Sequence, residues 1–274
     1  MRYAVLGNPV SHSLSPVMQH AAFAAVGMTT VYEAREVTAE ELGSALRALH
    51  DEGFKGLNLT APHKEAVWPL LARATPEAEL LRSVNTLKRL DAGWEGHATD
   101  GLGFAAWARE LDLPVAGARV ILLGSGGAAH AVAPYLAALG AAAVTVAARD
   151  TSRAASVTAR GERRNGGTAW SAASLDAVVD EGEFDLLVRA LSTTELADGE
   201  VAWWRRLAAG APVVDLNYGP RAAGSRLAAE AAGHPFEDGI GMLLHQGALS
   251  FTYWTDRAAP LEEMRRALAK AVDA

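Results

Sequence analysis

Between Val120 and Ala148 the chain carries no Asp, Glu, Lys or Arg. A stretch of that length without charge either crosses a bilayer or lies buried inside a globular fold. Its internal punctuation favours burial. Gly124-Ser125-Gly126-Gly127 follows the apolar run Val120 to Leu123, and the stretch also holds His130 and Pro134. A strand, a glycine turn, a helix and a second strand fit these breaks better than one spanning helix, so no membrane association is expected. Alternation of this kind builds a mostly parallel sheet with helices packed on it.

Composition narrows the class. At about 150 residues per domain, 274 residues suggest two domains. Half of the residues are hydrophobic, enough for a sizeable core and too many for a disordered chain. The absence of Cys excludes disulfides and zinc-thiolate sites. A formal charge of -7 argues against a nucleic-acid binder working through phosphate contacts. No early segment reads as a basic region followed by an apolar one, so the expectation is no secretion signal and a cytoplasmic protein.

Along the chain, Tyr3 to Leu6 reads as a strand entering Gly7-Asn8-Pro9. Ser15 is expected to cap a helix with Pro16 at its first position, ending near Gly27. Val31 to Arg35 is a second strand, and Thr38 with Glu41 forms a capping-box pattern opening a helix to about His50. Gly56 to Thr60 is a third strand, and Pro62 opens a helix. Val84 to Leu90 and Trp94 to Ala98 flank Asp91-Ala92-Gly93 as a hairpin. A helix follows Asp100 and reaches about Leu111. Arg119 to Leu123, Val144 to Ala148, Phe184 to Val188 and Pro212 to Leu216 are further strands, with a weaker one near Thr168 to Trp170. Gly239 to Asp256 and Pro260 to Val272 read as helices. The expected fold class is α/β, with an N-terminal α/β domain over residues 1–101, completed by the C-terminal helices at 240–274. A Rossmann-type, doubly wound nucleotide-binding domain over residues 102–239 is expected beside it.

The glycine loop is the first candidate site. Gly124 permits a tight turn, Gly126 lets the backbone approach a pyrophosphate, and Ala129 stands where a small residue packs helix against strand. A helix N-terminus adds free N–H groups for phosphate. A glycine-rich turn without a ligand is the alternative. NAD sites place an acid at the end of the next strand to accept from the ribose 2′-hydroxyl. Here that strand ends in Ala148, and Arg149, Ser152 and Arg153 follow, which favours NADP. Asp150 is the countervailing charge. Arg149 and Arg153 are either a 2′-phosphate clamp or solvated surface charges.

The second candidate site draws on three short runs. Asn58-Leu59-Thr60-Ala61-Pro62-His63-Lys64 sits at a strand end and helix start, while Ser83-Val84-Asn85-Thr86 and His97-Ala98-Thr99-Asp100-Gly101 lie at the ends of the hairpin. Together they offer one lysine, one carboxylate, amides and hydroxyls, a set suited to a polyhydroxylated substrate. No His or carboxylate cluster shows metal-ligand spacing, so no metal is expected.

With Gly7-Asn8-Pro9-Val10, Ser13-Leu14-Ser15-Pro16, Tyr218 after a strand, and Gly239-Ile240-Gly241-Met242-Leu243 with Gln246, these motifs run in one order over nearly the whole chain. In that order the chain resembles the shikimate dehydrogenase family (shikimate:NADP oxidoreductases). The resemblance implies a two-domain enzyme that reversibly reduces 3-dehydroshikimate to shikimate with NADPH, in aromatic amino-acid and chorismate biosynthesis. It implies that Lys64 and Asp100 are the catalytic pair and that Ser13 and Ser15 hold the substrate carboxylate. Thr60, Lys64, Asn85 and Asp100 would bind ring hydroxyls, with Tyr218 and Gln246 closing over the substrate. Gly124, Ser125, Gly126, Gly127 and Ala128 would form the phosphate loop and Arg149 and Arg153 the 2′-phosphate clamp, with Gly239 and Met242 also at the cofactor. The partners are small molecules, and the chain is expected as a monomer or homodimer.

Each residue also has a plainer reading. Lys64 alone is a surface lysine, Asp100 alone a helix cap, Gln246 a buried amide satisfied by backbone, Tyr218 a packing residue, and His63 structural. Four places depart from the family: Ala148 replaces an Asn, Asp150 a Thr, Arg189-Ala190-Leu191-Ser192 stands where Asn-Ala-Thr is common, and Leu216 stands where Met is common, a milder change. A bulky cation at Arg189 either touches a phosphate, fills a gap or obstructs the nicotinamide. The alternatives in function are a quinate/shikimate dehydrogenase preferring NAD, against which Ser15 and Ala148 argue, and a non-catalytic nucleotide-binding paralogue.

Overall fold

The apolar runs marked as strands assemble into two separate sheets in a computed structural model, which describes residues 1–164, 167–176 and 183–272. The chain divides into one unit of Met1–Gly103 with Leu243–Ala274 and another of Phe104–Met242.

The first unit runs β1 (Arg2–Gly7), α1 (Ser15–Ala25), β2 (Val31–Glu36), α2 (Leu42–Asp51), β3 (Gly56–Leu59), α3 (His63–Ala66), β4 (Arg73–Ala74), α4 (Pro76–Leu81), β5 (Thr86–Leu90) and β6 (Gly93–His97). Its sheet has the order β2-β1-β3-β5-β6-β4. β1 pairs parallel with β2 and β3, while β5 runs antiparallel to β3 and β6, which is the expected hairpin. The core is aromatic: Tyr3 stacks on Phe23 at 4.7 Å, and Phe23 packs on Phe251 at 5.2 Å. Trp254 lies on the sheet over Gly56, where a Cβ would come 2.3 Å from the indole Nε1. The same Nε1 donates to the Leu87 carbonyl at 2.9 Å. Gly56→Ala is therefore expected to destabilise the chain by about 1–3 kcal/mol through overpacking, read as a lower urea midpoint with unchanged slope.

Three expectations shift. Ser15 is the first helical residue of α1, not its cap, and Pro16 is second. The turn before it already winds helically, so Leu14 provides the carbonyl for Met18 N–H, and the Ser13 hydroxyl accepts from Ser15 N–H at 3.3 Å. The helix after Pro62 is a single turn, and a 3₁₀ turn follows at Trp68–Leu70, with Pro69 in its first turn. The expected Thr38–Glu41 bonds form, Thr38 N–H donating to Glu41 Oε2 at 3.1 Å and Glu41 N–H to Thr38 Oγ1 at 3.4 Å, but they close a turn ahead of α2, which starts at Leu42 with Glu41 and not Thr38 at its cap position.

The second unit holds β7 (Arg119–Leu123), α6 (Gly127–Ala138), β8 (Ala143–Ala148), α7 (Thr151–Glu162), β9 (Ala169–Ser174), β10 (Leu186–Arg189), α8 (Asp198–Trp204), β11 (Val213–Asp215), α9 (Ala223–Ala231) and β12 (Phe236–Asp238). The divisions between units fall inside α5 (Asp100–Glu110) and α10 (Ile240–Thr255), and α11 (Leu261–Val272) ends the described chain. All strand pairs here are parallel, in the order β12-β11-β10-β7-β8-β9. The first strand of the unit sits mid-sheet and the winding reverses between β7 and β10, which is the doubly wound arrangement. The uncharged stretch follows from this topology, because β7 and β8 are central strands and Ala129 to Ala137 of α6 are all buried. No helix among the described residues is long and apolar enough to cross a membrane. Phe184 does not open β10; it makes an isolated bridge to Leu207 and packs edge-on against Trp203 at 6.2 Å.

Candidate functional site

In the first unit, α3 carries Lys64 and is pinned by its neighbour. His63 is fully buried and its Nε2 donates to the Val37 carbonyl at 2.8 Å. Lys64 Nζ then reaches Asp100 Oδ2 at 2.8 Å, with the two side chains 20% and 11% exposed. This pair is open enough to meet a ligand and closed enough for its hydrogen bond to be strong. Asp100 Oδ1 accepts from Asn85 Nδ2 at 3.0 Å. Both carboxylate oxygens thus serve side chains and not the start of α5. Asn85 Nδ2 also lies 3.1 Å from Gln246 Oε1, while Gln246 Nε2 donates to the Leu243 carbonyl at 2.9 Å. Gln246 is therefore held half by backbone and half by Asn85. Gly103 permits this placement, since a Cβ there would lie 2.6 Å from Gln246 N.

A buried polar layer supports these groups. Asn85 Oδ1 accepts from Thr99 N–H at 2.6 Å. Asn58 Nδ2 donates to Asn85 O at 3.0 Å, Thr86 Oγ1 at 3.2 Å and Ser250 Oγ at 3.1 Å. The Tyr32 hydroxyl donates to Asn58 Oδ1 at 2.7 Å. Burial pushes the Tyr32 phenol far above its usual range, opposed by Ser15, so it stays a neutral donor. Tyr32 and Ser250 were not singled out by the sequence. Tyr32 alternates inward on β2 like any core residue, and Ser250 lies mid-helix, so no local signal marks them. Thr60 sits at the end of β3 with its methyl over Gly7, where a Cβ would clash at 2.3 Å. Lys64, Asp100, Asn85 and Gln246 thus form one connected set, extended through Asn58 to Tyr32, and Ser13 and Ser15 are bonded to each other beside α1.

In the second unit, Gly124 has φ +117°, and a Cβ there would come 2.6 Å from the Ala190 carbonyl, so only glycine fits. Gly126 is extended and opens α6 with no side-chain cap, and the space beside it is empty to 4 Å. The first-turn N–H groups at Gly127 and Ala128 have no intrahelical acceptor. Ser125, Gly126, Gly127 and Ala128 are half-buried, whereas Ala129 is buried against the sheet. Arg153 Nη2 reaches the Ser125 carbonyl at 3.5 Å across this loop, and Arg149 is exposed at the end of β8. His130, one turn into α6, is pushed down to about 4 by burial and then by Arg160 and Arg153. An uncapped helix start, a cradle open at Gly126 and a surplus of cations suit a phosphorylated dinucleotide.

The two departures at this site resolve structurally. Asp150 caps α7, accepting from Ser152 N–H at 2.9 Å, Ser152 Oγ at 2.6 Å and Arg153 N–H at 3.3 Å. These bonds hold its carboxyl below the usual carboxylate value. Arg189 is fully buried and turned into the core between Glu200 and Asp215, so it fills an internal site and is ion-paired there with two carboxyl groups. Tyr218 follows β11, half-buried, and begins the turn at Gly219–Ala222. Gly239 packs on Leu216, whose carbonyl a Cβ would meet at 2.3 Å, and Met242 is buried at the end of the unit. Among the described residues no group of three or more His, Cys, Asp or Glu is placed to hold a metal ion.

A doubly wound nucleotide-type unit joined to a unit bearing a lysine–carboxylate pair defines an α/β dehydrogenase architecture. Comparison with known proteins specifies it further. The shikimate dehydrogenase substrate binding domain matches residues 5–87, and the shikimate 5'-dehydrogenase C-terminal domain matches residues 239–269. Shikimate dehydrogenase (NADP(+)) of Geobacter metallireducens is 40% identical over 98% of this chain and 96% of its own length. Among solved structures, a shikimate dehydrogenase in complex with NADP+ superposes with a TM-score of 0.87 at 28% identity, covering 99% of this chain and 95% of that one. The Thermus thermophilus enzyme in complex with NADP(H) and shikimate gives 0.85 at 31% identity, covering 99% of each. The chain belongs to the shikimate dehydrogenase family.

Proposed function

We propose that this chain catalyses the reversible NADPH-dependent reduction of 3-dehydroshikimate to shikimate, in the pathway leading to chorismate and the aromatic amino acids. The observation that carries the reading is the 2.8 Å contact of Lys64 Nζ with Asp100 Oδ2, in a unit whose relatives are shikimate dehydrogenases. NADPH, when bound, supplies the hydride. The chain supplies the rest. The Lys64 ammonium binds the substrate carbonyl oxygen and gives it a proton as charge develops there; in the reverse direction Nζ takes the hydroxyl proton. Asp100 keeps the ammonium aimed, and Asn85 keeps Asp100 aimed. Ser13 and Ser15 hold the substrate carboxylate, Thr60, Lys64, Asn85 and Asp100 meet the ring hydroxyls, and Tyr218 and Gln246 close over the ring.

Residues 1–101 with 240–274 serve as the substrate half and 102–239 as the cofactor half. Gly124 to Ala128 take the pyrophosphate, Gly239 and Met242 border the cofactor, and Arg149 and Arg153 take the 2′-phosphate. Arg149→Ala is expected to weaken NADP about tenfold or more, the loss of one charge-assisted hydrogen bond of about 1.5–3 kcal/mol, and to leave NAD nearly unchanged. Equal loss for both cofactors in steady-state KM measurements removes that role. Asp150→Ser relieves a carboxylate beside the same phosphate and is expected to raise the NADP-over-NAD ratio by the same assay. The protein works in the cytoplasm as a monomer or homodimer, with small molecules as its partners and neither nucleic acid nor membrane. Assays of shikimate and of quinate, each with NADP and with NAD, test the assignment, and turnover confined to quinate with NAD overturns it.

A further inference from the structure

The cation that departs from the family pattern has a position that assigns it a task. Arg189 ends β10, and its side chain is wholly enclosed along with those of Glu200 and Asp215. Its Nε donates to Glu200 Oε1, its Nη2 to Glu200 Oε2 at 3.3 Å, and its Nη1 to Asp215 Oδ2 at 3.2 Å. The same Nη2 reaches forward to Thr193 Oγ1 at 3.2 Å and the Glu195 carbonyl at 3.4 Å. The segment after β10 therefore curls around the guanidinium as its internal template. That segment has a neighbour of consequence. The Ala190 carbonyl is the atom that forbids a side chain at Gly124, and Asn217, bonded to Asp215, holds the Leu191 carbonyl at 2.8 Å.

β7 and β10 are the strands between which the winding of the sheet reverses. Ligands of doubly wound folds bind in the crevice beyond the carboxyl ends of the strands at that reversal. The glycine loop is one wall of the crevice, and residues 190–195 are the other. We propose that Arg189 is a positioning residue for the dinucleotide: clamped by Glu200 and Asp215, its guanidinium shapes the 190–195 loop and so sets the wall facing the glycine loop. This rests on reading the second unit as the NADP-binding half. Lysine does not replace arginine here, because one ammonium does not span five acceptors in a planar fork.

The test compares the wild-type chain with Arg189→Lys, which keeps the charge. NADPH affinity is measured by fluorescence titration, shikimate KM at saturating NADP+, and amide exchange of the 190–195 segment in the ligand-free protein. The expected result is NADPH binding weaker by about 10- to 100-fold, the scale of a displaced binding wall, faster exchange in the segment, and shikimate KM unchanged within about twofold. If Arg189→Lys does not fold, Thr193→Val removes one loop anchor without touching a charge, and a smaller change in the same two readouts is expected. NADPH affinity unchanged, exchange unchanged, or NADPH and shikimate constants weakened alike overturns the inference. A wild-type chain that binds no NADPH sinks the nucleotide reading itself, which separates that failure from this one.

Discussion

Lys64→Ala is expected to lower kcat about 10²–10⁴-fold, the usual contribution of a positioned proton donor, while the Kd for NADPH stays near the wild-type value. Ketone reduction places negative charge on the carbonyl oxygen as the hydride arrives at carbon. A group that donates there acts on the transition state more than on the ground state, so its loss falls on kcat. Lys64 Nζ is the ammonium of the connected set, held by Asp100 at 2.8 Å and backed by Asn85 at 3.0 Å. Asp100→Asn keeps the shape and removes the charge that orients Nζ, so it is expected to lower kcat as well. A single-turnover measurement separates the step from product release, and an unchanged rate in Lys64→Ala defeats the proton-donor role.

Arg189→Met is expected to destabilise the second unit by about 3–5 kcal/mol at neutral pH, the cost of stripping one partner from a buried ion cluster. Two carboxylates then remain fully enclosed without their cation. The pH dependence has a definite sign. In the wild-type cluster burial pushes both Glu200 and Asp215 above their ordinary values, with Arg189 opposing. The folded state therefore binds protons more tightly than the unfolded chain. That contribution to stability is fully present below the ordinary carboxylate range and is lost as pH rises through the raised values. Removing Arg189 takes away one opposing force, leaving only the Ser225 and Asn217 hydrogen bonds on Asp215, and so widens the shift; the penalty in Arg189→Met is therefore larger at alkaline than at acidic pH. Urea melts of both proteins at several pH values check this, and a difference independent of pH contradicts it.

What was legible in the sequence has local causes. The strand–glycine–helix succession at Arg119 to Ala138 was readable because Gly124 answers a backbone demand and the uncharged flanks answer burial on both sides of a central strand. The hairpin at Asp91 to Gly93 was readable because Gly93 takes a positive φ, and the Thr38–Glu41 pairing because its bonds are local, although it did not mark the start of α2. β4 and β12, at two and three residues, are too short to show a period. The misplacement of the α1 cap by one residue reflects a helical Leu14 that no propensity marks. Side-chain partnerships lay further from view. Lys64 and Asp100 are 36 residues apart, and nothing local joins them; the family pattern did. Arg189 finds Glu200 at 11 residues and Asp215 at 26, so its burial was invisible until the topology set β10 beside β11.

Steady-state turnover of shikimate with NADP+, on the wild-type chain and on Lys64→Ala side by side, checks that the chain is an NADP-dependent shikimate dehydrogenase working through Lys64. The expected result is NADPH formation by the wild type, little NADH formation from NAD+, and near-abolition of NADPH formation in the variant at unaltered cofactor affinity. No turnover of shikimate by the wild type with either cofactor contradicts it.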